Sequence, residues 1–146
     1  MTFDKLYDER KSKDIPTAIN AAEALLPLDY NIPTKMQIYY DIANAFHDLR
    51  VIEGIDEEHY LEKEIYHLRC ALDLYENNYY DDESNNAETK VAQYIAMRSY
   101  TNLGNAYQAI GRYIVAIDCL QNALIISNDF AMASLNLSLL LFRYAH

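Results

Sequence analysis

Glycine and proline are scarce in this chain, with three of each in 146 residues. Hairpin turns lean on those residues, so their scarcity argues against a sheet architecture. Long apolar runs are missing too. No stretch reaches the roughly 18 residues that a membrane span needs, and the opening MTFDKLYDERKSKD has no signal-peptide core, which implies a cytoplasmic location. The two cysteines, Cys70 and Cys119, stand beside Ala71 and Leu120 and not in C-x-x-C spacing. Reduced, buried thiols are expected there, with no disulfide and no metal.

Positive charge is also in short supply: 12 Lys and Arg against 22 Asp and Glu give a net charge of −10. Residues 51–90 hold twelve of the acids and only Lys63, Arg69 and Lys90, a balance of −9. A direct grip on nucleic acid requires cations that displace counterions from phosphates, so this segment excludes it. The acids read either as a solvated face plus a loop or as a patch for a basic partner. What the chain does have is apolar content, 51% with 12% aromatic, enough for the core of one all-α domain.

The most informative stretch is YTNLGNAYQAIGRYIVAIDCLQNAL, residues 100–124. Small residues at Gly104, Ala116 and Ala123 alternate with bulky Tyr100, Tyr107 and Leu120, as two antiparallel helices in close approach require. Gly111 falls where the first helix must end and the chain must reverse. This spacing resembles the helical hairpin of the tetratricopeptide repeat (TPR). Tyr100, Leu103, Gly104 and Tyr107 match its W-x2-L-G-x2-Y, and Ala116, Leu120 and Ala123 match its A-x3-F-x2-A. The resemblance implies an α-α superhelix, a TPR-like solenoid of about seven antiparallel helices whose stacked units form a binding surface.

With that repeat as a ruler, Tyr39, Ile42, Ala43 and Phe46 reproduce a first helix, and Leu68, Ala71 and Leu72 the end of a second. Nine extra residues separate the two halves around Gly54, and they are expected to lengthen the loop between the helices. The organisation is a half-repeat at about 1–33, an irregular repeat at 34–78 and an acidic linker at 79–87, expected to be the mobile part. The best repeat at 97–130 and a final unpaired helix at 131–146 complete the chain. Helices are expected at about 3–12, 16–27, 34–50, 57–77, 87–110, 113–127 and 130–144, with Pro16 and Pro33 opening two of them.

Chemistry-bearing motifs are few. Glu64-x-x-His67 has the spacing of a metal-binding helix face, but no second such motif accompanies it, and the acidic surroundings point to a solvated face. No Gly-rich phosphate loop or G-x-S-x-G elbow occurs, so no catalytic residue, metal or cofactor is assigned and the chain is read as a non-enzyme.

The TPR resemblance also implies a ligand groove lined by positions 2, 5, 6, 9 and 12 of the first helices. Here these are Gln37, Tyr40, Asp41, Asn44 and His47, then Arg98, Thr101, Asn102, Asn105 and Gln108, then Met132, Leu135, Asn136, Leu139 and Phe142. Asparagine recurs at positions 9 and 6, pairing Asn44 with Asn102 and Asn105 with Asn136. A carboxamide offers both a donor and an acceptor to a peptide backbone. The implied peptide-binding set is Tyr40, Asn44, Arg98, Asn102, Asn105, Gln108 and Asn136. These asparagines also fit ordinary packing between repeats, and the lysines of a carboxylate clamp are missing.

The final helix is apolar around most of its circumference, so Leu135, Leu139 and Phe142 are expected to mediate self-association, giving a homodimer. A second, weaker resemblance links residues 103–145 to the N-terminal repeats of bacterial proteins carrying a HEPN-type RNase domain. It implies a sensing or regulatory region without the catalytic part, since no arginine here has a histidine at the R-x4–6-H distance.

Overall fold

The computed structural model describes residues 15–53 and 57–145, and among them every regular element is helical. The helices are α1 (Ile15–Glu23), α2 (Ile32–Glu53), α3 (Glu57–Asn78), α4 (Ala87–Ala109), α5 (Tyr113–Ile126) and α6 (Ala131–Ala145). The all-α expectation is met, and the six helices match six of the expected segments. The helix expected at 3–12 lies outside the described residues.

Local chemistry explains the boundaries. Asn31 caps α2, its side chain accepting the Thr34 N–H at 3.0 Å, with Pro33 in the first turn where no amide is needed. Asn86 caps α4 in the same way through the Thr89 N–H. At the other end of α4, Gly111 takes φ +79° and donates to the Gln108 carbonyl, while Arg112 donates to that of Tyr107. This paired arrangement stops a helix where one residue can turn left-handed cheaply.

Two expectations need correction. The extra residues around Gly54 do not form a long loop. They are taken up by helix, since α2 and α3 are 22 residues each and only residues 54–56 separate them. The acidic linker is stitched down rather than open. Asp82 accepts from the Ser84 amide at 2.8 Å and from the Thr89 hydroxyl at 2.9 Å, and Thr89 is buried. Those bonds hold the Asp82 carboxyl below its usual range, the Ser84 amide contributing most.

Each helix packs on its sequence neighbours, and α2, α4 and α6 also touch in succession, α4 between the other two. One apolar cluster runs through five helices, from Met36 and Tyr40 on α2 through Leu72 on α3 and Leu103 on α4 to Ala123 on α5 and Ala133 on α6. A second joins Ile15, Ile19 and Ala22 of α1 to Ile38, Ile42 and Phe46 on another face of α2. Ala116, Leu120 and Leu140 form a third. Gly104 lies where α4 and α5 come closest: a Cβ there would stand 2.9 Å from Leu120 Cγ and 3.2 Å from the Ala116 carbonyl oxygen. Both cysteines are free thiols; Cys119 is buried and pushed up to about 11 by desolvation, so it stays protonated, whereas Cys70 is only partly buried. No described helix is long and apolar enough to cross a membrane.

Candidate functional site: a carboxamide rail and a polar cleft

The contacts among α2, α4 and α6 bring the paired asparagines together. Asn102 Nδ2 donates to Asn44 Oδ1 and to the Tyr40 hydroxyl, each at 3.2 Å, and Asn136 Nδ2 donates to Asn105 Oδ1 at 3.2 Å. The rail thus crosses all three helices. The packing alternative is realised in part, because each pair is itself a hydrogen bond between helices. In both bonds the accepting asparagine uses its oxygen, which leaves the Nδ2 groups of Asn44 and Asn105 without a partner among the described residues.

Tyr40 is placed differently from the expectation of an open groove residue. It is buried, and the Arg98 guanidinium sits over its ring at 5.0 Å and 5.3 Å from the ring of Tyr94. Arg98 is therefore the partly exposed group at that point, and Tyr40 supports it from below. Thr101 is buried as well, its hydroxyl donating to the Met97 carbonyl. Gln108 is half-buried near the end of α4. On α6, Leu135, Leu139 and Phe142 are exposed at 57%, 46% and 64%, and Met132 at 57% continues their stripe. The expected all-round apolar character is narrower than it looked, because Leu140 is fully buried against Ala116 and Leu120.

The largest correction concerns α3. Glu64 and His67, expected on a solvated face, are only 4% and 6% exposed. His67 is a core residue: Nδ1–H donates to the Lys63 carbonyl at 2.7 Å, its ring stacks on Phe46, and burial lowers its pKa. Glu64 accepts from Arg50 Nη2 at 3.3 Å and from His47 Nδ1 at 3.1 Å, joining α2 to α3. Such a buried carboxylate is tolerable because both oxygens have cationic or N–H partners. The Glu64 hydrogen bond, more than any other cause, raises the His47 pKa above its ordinary value.

These groups are not an isolated strut. Asn44, His47, Arg50, Glu64, Asn102, Asn105 and Ala106 line a cleft of about 290 Å³ between α2, α3 and α4. Sequence reasoning found its three asparagines and placed His47 on the groove side, but missed Arg50 and misplaced Glu64. The available signal was spacing: His47 and Arg50 are three apart on α2 and so share a face. Among the described residues no three His, Cys, Asp or Glu side chains converge as metal ligands would. No protein-family model matches the chain, and no curated protein matches it in sequence.

Proposed function

We propose that this protein is a cytoplasmic, non-enzymatic interaction module built as a tetratricopeptide-like superhelix, and that the surface shared by α2, α4 and α6 holds an extended peptide or protein segment. The carboxamide rail carries the proposal: the two asparagine pairs expected from the repeat positions meet across the three helices, with amide donors left over for a ligand backbone. Arg98 and Gln108 flank the rail on α4, and Asn136 extends it onto α6. Peptides selected by display on the full chain test the idea. Each such polar contact contributes on the order of 1 kcal/mol, so Asn105→Ala should weaken a selected peptide several-fold and leave the melting temperature nearly unchanged. Unfolding without a separable loss of binding would reassign Asn105 to packing.

The α6 stripe supports self-association as a second property. Met132, Leu135, Leu139 and Phe142 recur at intervals of three and four residues, which lines them along one face of the helix, and all four are exposed. Pairing with a second copy covers that face, and light scattering at micromolar concentration reports it.

A further inference from the structure

The polar cleft joins the Nδ2 donors of the rail, which the peptide reading also uses, to two groups that it does not, His47 and Arg50. Asn44 and Asn105 have their oxygens committed along the rail and present Nδ2 groups. His47 directs Nδ1 toward Glu64, with Arg50 Nη2 also 3.1 Å from that atom, and its side chain is 47% exposed, so Nε2 is the ring nitrogen left for the cleft and becomes a donor when the ring is protonated. Arg50 adds a guanidinium with a 14% exposed side chain. Against these stand Asn102 Oδ1, Nε2 of His47 while the ring is neutral, and the Glu64 carboxylate, which is occupied by Arg50 and His47. The volume, about 290 Å³, lies at the low end of the roughly 300–1,000 Å³ of small-molecule sites, so it suits one small group.

We propose that this cleft is an oxyanion site, taking a carboxylate or a phosphate-like group on the Nδ2 donors of Asn44 and Asn105 and on Nε2–H of His47, and that His47 takes up a proton as the anion binds. The charges explain the coupling. With His47 neutral, Arg50 and Glu64 cancel and the cleft offers an anion dipoles only. With His47 protonated, the three charged groups that line the cleft carry one net positive charge, which Asp48 beside them offsets from outside the lining. The groups facing His47 are Asp48 and Arg50 on its own helix and Glu64 on α3, while α4 contributes only the uncharged Asn102 and Asn105. Glu64 and Asp48 favour the imidazolium and Arg50 opposes it, so a bound anion opposite Arg50 tips the balance. The site shares three asparagines with the peptide surface but does not require a peptide.

The test uses the full chain and two probes, acetate for a carboxylate and sulfate for a tetrahedral oxyanion, with sodium chloride holding ionic strength constant. Chemical shifts of the Asn44 and Asn105 side-chain amides and of the His47 ring are followed at about pH 5.5 and about pH 8.5, on either side of the ordinary histidine value. At least one probe should bind roughly tenfold more tightly at the lower pH, and by reciprocity saturation should raise the His47 titration midpoint by about one pH unit. The tighter probe identifies the source of the anionic group. His47→Gln should abolish the pH dependence. Failure of both probes to shift these amides, equal binding at the two pH values, or an unmoved His47 midpoint in the unmutated protein overturns the site. The last measurement needs no variant to fold. Peptide binding sensitive to Asn105→Ala would survive that outcome, so the two ideas fail separately.

Discussion

Gly104→Ala is the sharpest probe of the close contact between α4 and α5. Two effects of opposite sign compete. In a helix interior alanine is favoured over glycine by about 0.5–1 kcal/mol, so on an open face the substitution would stabilise. Here the new Cβ would meet Leu120 Cγ at 2.9 Å, Leu120 Cδ2 at 3.1 Å and the Ala116 oxygen at 3.2 Å. Leu120 and Ala116 are fully buried, so neither has free space into which to retreat. Overpacking a core of this kind costs about 1–3 kcal/mol, which leaves a net loss of roughly 0.5–2 kcal/mol. Urea denaturation followed by circular dichroism measures it. The clash predicts a coupling as well: in a Leu120→Ala background the same substitution should cost less, since the Cγ and Cδ2 that it meets have been removed. Gly111→Ala serves as the contrast. Nothing lies within 4 Å of a Cβ at Gly111, yet φ there is +79°, so its cost of about 1–2 kcal/mol is conformational and should not respond to Leu120→Ala. If Gly104→Ala stabilises the protein, or if its cost is identical in the two backgrounds, α4 and α5 do not approach as closely as described.

Self-association through α6 predicts that a dimer in light scattering dissociates on Leu139→Glu combined with Phe142→Glu; a well-behaved monomer with the stripe intact rules it out. Buried His67 and half-exposed His47 should respond to pH with opposite signs. Burial holds His67 below the unfolded value, so its contribution to stability is present above about pH 6.5 and is lost as pH falls through its lowered pKa; the His47 pair, with a raised pKa, contributes fully below about pH 6.5 and fades as pH rises. Urea midpoints of the unmutated protein and of His67→Phe across this range should show a shallower acid loss in the variant, and equal acid slopes would refute the assignment of His67 to the core.

The helices were legible because their ends carry local chemistry: Asn31 and Asn86 as caps, Gly111 as a left-handed stop, and Pro16 and Pro33 in first turns. The close contact at Gly104 was legible for a similar reason, since small residues at helical spacing have few other uses. The cleft was not. Glu64 sits in an acidic segment, and composition averaged over that segment predicts solvent. Its burial follows from Arg50 and His47, 14 and 17 residues earlier on α2. Tyr40 is a parallel case. It lies on a helix as expected, but what covers it is Arg98, a residue 58 positions away. Local rules locate an element and its faces, whereas the fate of a polar residue on a face depends on what another helix brings to it.

Stability and the proposed recognition surface draw on different residues here, with one exception. The continuous apolar cluster from α2 to α6 holds the helices together, and its side chains are almost wholly removed from water. The rail residues are partly exposed, and the Asn105–Asn136 bond lies at the surface, so each contributes near the lower end of the roughly 0.5–1.5 kcal/mol of a net hydrogen bond. Losing one leaves the apolar cluster intact, so asparagine substitutions should separate the proposed peptide binding from folding. Glu64 belongs to both sets. Its side chain is 6% exposed, and removing it would leave Arg50 as a nearly buried cation beside His47 without its carboxylate, a situation that costs about 3–5 kcal/mol when a buried pair is broken. Substituting Glu64 therefore confounds fold with site. His47 is half-exposed and touches the apolar cluster little, so the chemistry of the cleft is best interrogated through His47, with Glu64 left in place to balance it.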